Sequence, residues 1–86
     1  MAENGDIWYV YMVRCSDNTL YTGMTNDLPR RIEAHNSGRD GARYTKSRRP
    51  VQLVYAEKAG SRSAAARLEA KIKQLPRARK QSLIKC

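Results

Sequence analysis

The feature that most restricts the fold is an aromatic and branched run, Ile7 to Cys15, reading IWYVYMVRC. A short polar break, Ser16-Asp17-Asn18-Thr19, separates it from a second extended segment, Leu20 to Thr25. Residues of this type fit a pleated, half-buried surface, so both segments read as strands. A connection this short can only return the chain antiparallel to itself, because a parallel neighbour needs a crossover of a dozen or more residues. The start of the chain is therefore a hairpin. Two strands alone are marginal in water and must be covered or extended by later elements. Gly23 interrupts the second strand, which marks either a bulge or a close approach to the backbone.

The rest of the chain supplies the cover. Asn26 or Asp27 can cap a helix that starts at Leu28, with Pro29 tolerated in its first turn. It runs to Asn36 or Ser37, and Gly38 stops it. A polar, basic connection follows from Arg39 to Arg49, with a short helical turn near Tyr44. After Pro50, Val51 to Glu57 reads as a third strand. Ala59-Gly60 turns the chain, Ser61 or Ser63 caps an alanine-rich helix over residues 64–74, and Pro76 opens a last helix through Leu83. The order β-β-α-β-α-α excludes a doubly wound sheet. It specifies a small layered α+β domain, a three-stranded antiparallel sheet flanked by helices. No repeat, linker or low-complexity tract divides the sequence, so residues 1–86 read as one domain with a core over about 7–84.

Charge gives the first functional constraint. Seventeen Lys and Arg against eight Asp and Glu leave a formal +9, with a pI near 10.1. Such an excess favours a polyanion, because counterions released from a phosphate backbone drive association. A membrane partner is not expected: there is no apolar run of spanning length, and no helix combines a broad apolar face with a basic one. Met1 to Asp6 is polar and acidic, unlike a secretory leader. Cys15 and Cys86 have neither disulfide-framework nor zinc-site spacing, which suits free thiols in a reducing cytoplasm.

Both main helices place charge where the pattern calls for apolar side chains. Leu28, Arg31, Ile32 and His35 share one face of the first helix. Ala65, Leu68, Glu69, Ile72 and Leu75 share one face of the second, and Glu69 is its only acid. A charge beside a core stripe costs several kcal/mol unless it is paired, hydrated or bound to a cation. One explanation is structural, with the tips in water or an Arg31–Glu69 bridge between helices; the other is a site. In the hairpin, Tyr9, Tyr11 and Val13 share a face by alternation. A two-residue turn at Asp17-Asn18 puts Tyr21 on the opposite face, whereas a bulge or three-residue loop returns it to the tyrosine side.

Taken together, YVY at 9–11, YTG at 21–23, NDLPRR at 26–31 and the helical AARLEAKIKQL resemble the GIY-YIG nuclease signature. The chain from Trp8 to Ile84 looks like a compact, single-domain bacterial branch related to the nuclease domain of the excision-repair incision enzyme. The resemblance implies a metal-dependent DNA endonuclease using one divalent ion, Mg²⁺ or Mn²⁺. It matches Tyr11 and Tyr21 to the family tyrosines, Arg31 to its arginine and Glu69 to its metal-binding glutamate. His35 falls where related domains carry histidine or tyrosine, and Gly23 matches the glycine closing the second tripeptide. Two positions depart from the pattern. Tyr9 replaces the first glycine, and Met24 stands where the excision-repair domain carries a lysine; Arg30, Arg43 or Lys46 are candidates to replace that cation.

These residues suggest a division of labour. Glu69 holds the metal, and Arg31 clamps a non-bridging oxygen through its fork of donors. Tyr21 is the first choice to take the proton of the attacking water, helped by a neighbouring cation or the metal, with Tyr11 positioning and His35 able to share either role. Arg30, Arg39, Arg43, Lys46, Arg48 and Arg49 are expected backbone contacts to DNA, as are Arg77, Arg79, Lys80 and Lys85 of the tail. No recognition helix or zinc finger is present, so weak sequence preference is expected, with single-stranded or branched DNA as the substrate and RNA left open. The competing readings are a nucleic-acid-binding module without cleavage and an accessory protein of a larger repair or recombination enzyme.

Overall fold

A computed structural model describes residues 7–37 and 48–84. Met1 to Asp6, the expected helix stop at Gly38, the turn at Tyr44, the cations Arg39, Arg43, Lys46 and Lys85, and Cys86 lie outside them. The described elements are β1 (Trp8–Arg14), β2 (Leu20–Thr25), α1 (Leu28–Ser37), β3 (Gln52–Ala59), α2 (Arg62–Lys73) and α3 (Arg77–Leu83). The strands form one antiparallel sheet in the order β2-β1-β3, so the first strand is central. This is the α+β architecture anticipated from the order of the segments.

The central position of β1 explains its composition. Val10 and Met12 are fully buried on one face, and Tyr11 and Val13 on the other. A strand covered on both sides reads as a continuous apolar run rather than an alternation. Helix α1 covers the Tyr11–Val13 face through Leu28 and Ile32, with Cys15 and Val51 completing that cluster. Helices α2 and α3 cover the other face, packing Ala65, Leu68, Ile72 and Leu83 against Val10 and Met12. The side chain of Asn36 ties the end of α1 to the start of β3, accepting from Val51 N–H at 2.6 Å and donating to Val51 C=O at 3.1 Å.

The hairpin loop settles the register that the sequence leaves open. Asn18 N–H donates to Cys15 C=O at 2.9 Å, and Cys15 N–H donates to Thr19 C=O at 2.8 Å. Asn18 sits at φ 70°. This is a three-residue loop, a turn followed by a left-handed residue, and asparagine tolerates that conformation better than most side chains. Asp17 Oδ1 braces it by accepting from the N–H and the hydroxyl of Thr19. Strand pairing then sets Val13 opposite Tyr21 and Tyr11 opposite Gly23. Tyr21 therefore shares the face of Tyr9 and Tyr11.

Local boundaries follow from caps and pairing. Asp27 Oδ1 accepts from Arg30 N–H at 3.4 Å at the start of α1. Ser61 rather than Ser63 caps α2, its Oγ accepting from Ala64 N–H at 3.1 Å, so this helix begins two residues earlier than its alanine run suggests. On the other edge, Met12 pairs with Tyr55 but Val13 with Leu53, which leaves Val54 as an inserted residue that packs into the core beneath α2.

Candidate active site around Tyr11

The site is built where α1 lies across the tyrosine face of the hairpin. Tyr11 points from the central strand, and His35, one turn beyond Arg31 on α1, meets its hydroxyl at 2.8 Å. Both residues are fully buried. Arg31 Nε–H donates to the same hydroxyl oxygen at 3.4 Å. Burial, and then the Arg31 guanidinium, push the His35 imidazolium down to about 4, so the ring is neutral near neutrality. Burial raises Tyr11 above its ordinary range, outweighing the hydrogen bond and charge of Arg31. The pattern of donors orders the chain: Arg31 donates to the Tyr11 oxygen, and Tyr11 O–H donates to Nε2 of a neutral His35. This direction is assigned from the hydrogen-bonding pattern.

Tyr21 adds an edge-on ring contact to His35, with centroids 5.3 Å apart. Unlike Tyr11 it is only half-buried. Gly23 makes the arrangement fit. A Cβ built at this position would stand 2.6 Å from the Tyr11 hydroxyl, 2.9 Å from its Cζ and 3.1 Å from the Tyr21 ring. The interruption in β2 therefore marks a close approach, with the Tyr11 ring lying over the bare backbone of its cross-strand partner. The tyrosine cannot swing away easily, because His35 and α1 close over it. Gly23→Ala is accordingly expected to cost about 1–3 kcal/mol through overpacking. Thermal unfolding should show a drop in Tm of at least about 4 °C for a domain of this size.

Glu69 stands in the other layer, on α2. It lies on the sheet-facing side of α2, is half-buried, and is near enough for its charge to act on Tyr11. Its ion pair runs along its own helix, to Lys73 Nζ at 3.5 Å. The E-x-x-x-K spacing is the signal in the sequence that identifies this partner. Tyr11, Tyr21, Gly23, Arg31 and His35 are thus brought together, with Glu69 close by. They do not all line one open concavity. Tyr11 and His35 have no surface of their own, and Tyr21, Arg31 and Glu69 are the members with solvent access.

The expected phosphate contacts divide differently. Arg30 is exposed on α1. Arg48 is engaged with Asp17 at 3.0 Å, and Arg49 Nη1 donates to Asn36 C=O at 3.4 Å. In the tail, Arg77 donates to the hairpin carbonyl of Asn18 at 2.8 Å, which ties α3 to the β1–β2 loop.

Residues 7–82 match the GIY-YIG catalytic domain. The chain belongs to the GIY-YIG family. It is 56% identical over 78 residues to the UPF0213 protein DP2720 of Desulfotalea psychrophila, covering 91% of this chain and 71% of that protein. A UPF0213 protein of Syntrophus aciditrophicus is 54% identical over 77 residues, covering 90% and 88%. Among solution NMR structures, protein EF2693 from E. faecalis superimposes with a TM-score of 0.62 at 41% identity, covering 94% of this chain and 85% of that one. The UPF0213 protein BH0048 from Bacillus halodurans gives 0.58 at 42%, covering 91% and 82%. The relationship is thus to the UPF0213 group within GIY-YIG, and not specifically to the excision-repair branch. Met24 has a structural place of its own. Opposite Val10, it packs against the core beneath α2, and a lysine there would have to carry its ammonium out past the helix. Among the described residues no helix is long and apolar enough to cross a membrane.

Proposed function

We propose that this GIY-YIG chain hydrolyses phosphodiester bonds in DNA, with Mg²⁺ or Mn²⁺ held at Glu69. The observation that carries this reading is the Arg31–Tyr11–His35 chain: a half-buried arginine steadied by a sealed, neutral phenol–imidazole pair beside a half-buried tyrosine. A guanidinium fixed in this way is held where it can meet a non-bridging phosphate oxygen with little reorganisation, and preorganised donors of this kind are usually the largest single source of transition-state stabilisation. In this reading Tyr21 holds the attacking water. Tyr11 and His35 act behind it, fixing Arg31, with the neutral His35 Nε2 accepting the hydrogen bond of the Tyr11 hydroxyl.

Among the described residues no group of three or more His, Cys, Asp or Glu gathers. A lone, half-buried carboxylate still suits a hard cation that keeps most of its waters, and Glu69 is such a group. When bound, the metal would offset charge on the phosphate and on the departing oxygen. Arg30, Arg39, Arg43, Lys46, Arg48 and Arg49 are proposed backbone contacts, with single-stranded or branched DNA the first substrates to try and RNA the next.

A second reading, a nucleic-acid-binding or accessory module of a repair or recombination system without cleavage, is favoured by one observation: the Glu69 carboxylate already has Lys73 as partner. The two readings part in a nicking assay on single-stranded and branched DNA with each metal. The nuclease reading expects metal-dependent products, and a fall of about 10²–10³-fold in kcat for Arg31→Lys, which keeps the charge but loses the fork. DNA binding without nicking across these substrates and metals would establish the module instead.

A further inference from the structure

Beside the tyrosine site lies a cleft of about 470 Å³, formed by Ile7, Tyr9, Asn26, Asp27, Leu28 and Pro29. It opens where the start of β1 and the end of β2 meet the first turn of α1. Tyr9 stands two residues from Tyr11 on the same face of the same strand, a step of about 7 Å. It is also the residue that replaces the first glycine of the family signature, and neither the proposed chemistry nor the core uses it. The cleft has the make-up of a small-molecule site, with apolar walls from Ile7, Leu28 and Pro29, one aromatic ring, and an adjacent amide and carboxylate. Asp27 spends one carboxylate oxygen on the Arg30 N–H, which leaves the second as an acceptor.

We propose that this cleft receives one unpaired nucleobase of the substrate, next to the phosphate held at Arg31, with a preference for a base carrying an exocyclic amino group. The Tyr9 ring supplies a stacking surface, which every base can use. Selectivity comes from the polar pair. The Asp27 carboxylate accepts from the amino group of cytosine or adenine, and Asn26 can both donate and accept at the adjacent ring edge. Thymine has no amino group to offer there. The inference rests on the proposed nucleic-acid substrate. It gives an otherwise backbone-reading protein a modest preference at a single position.

Binding without metal separates this inference from hydrolysis. Fluorescence anisotropy in EDTA would compare equal-length oligo-dA, oligo-dC and oligo-dT on the full chain and on Tyr9→Ala, Tyr9→Phe and Asp27→Asn. The last keeps a helix-capping side chain and so leaves α1 intact. The parent should bind oligo-dA and oligo-dC several-fold more tightly than oligo-dT. Tyr9→Ala should weaken binding of all three by about 5- to 100-fold, the loss of one base–aromatic stack, and Tyr9→Phe should recover it. Asp27→Asn should flatten the preference. Equal affinity for the three oligomers, or parental affinity in Tyr9→Ala, overturns the proposal. Nicking with Mg²⁺ or Mn²⁺ is scored separately on the same proteins. A parent that discriminates bases but never nicks would leave the cleft standing and remove only the hydrolytic reading.

Discussion

Glu69→Ala is expected to remove metal-dependent nicking, lowering the single-turnover rate by about 10³-fold or more at any Mg²⁺ or Mn²⁺ concentration tested. The size of the effect follows from the position of this side chain. It is the one acid on the sheet-facing stripe of α2, and its charge reaches the buried Tyr11 hydroxyl from the layer opposite α1. Removing it should scarcely trouble the fold. The described contact it gives up is an i,i+4 pair with the exposed Lys73, worth about 0.2–0.5 kcal/mol, and alanine is the better helix former. A folded, DNA-binding and inactive variant is therefore the expected outcome. Nicking that survives in Glu69→Ala would take the metal away from this residue and return the Glu69–Lys73 pair to a structural role.

The second large effect is acid destabilisation through His35. An unfolded chain takes up a proton on this imidazole near 6.5, whereas the folded chain resists until about 4. Between those values the unfolded state binds more protons, so stability rises with pH through the window and is lost as pH falls through it. A depression of that size corresponds to about 3 kcal/mol of folding free energy present above 6.5 and gone by 4. Urea unfolding at pH 7 and pH 4.5 should show the difference, and His35→Gln should flatten it over this window. A parent equally stable at both values would mean that the ring accepts its proton inside the fold, and that the neutral pair with Tyr11 is misassigned. Nicking, if governed by the same neutral pair, should keep its rate down to mildly acidic pH before global unfolding ends it.

Much of this was legible in the chain because local and global preferences agree. Leu20 to Thr25 is the second strand as read, and the first helix begins at Leu28, where an acid that can cap precedes a proline that can follow. The stripe of Leu28, Arg31, Ile32 and His35 does face the sheet, since a three- and four-residue spacing admits no other common side. What the sequence could not convey is set by single backbone dihedrals and by depth. The face taken by Tyr21 turns on whether Asn18 adopts a left-handed conformation, and Asp17-Asn18 would serve a two-residue turn nearly as well. The seclusion of Tyr11 and His35 depends on how closely α1 settles onto the sheet. That in turn depends on the missing side chain of Gly23, whose reason the sequence left open between a bulge and a close contact. The partnership of Glu69 with Lys73 is written in the sequence only as a four-residue spacing, and the sequence equally allows a bridge from Glu69 to Arg31 of the other helix.

The three-residue loop at Ser16–Asn18 acts as a parity rule for the whole chemistry. Side chains on β2 alternate, so each residue gained or lost before Leu20, with the pairing moving to match, exchanges the set that meets α1 for the set that meets α2. With one residue fewer, Thr22 and Met24 would be presented to His35, and the bare position that admits the Tyr11 ring would turn towards the other layer. Within relatives of this chain, length variation in that hairpin should therefore come in even steps, or be accompanied by a compensating bulge, wherever the tyrosine is in use.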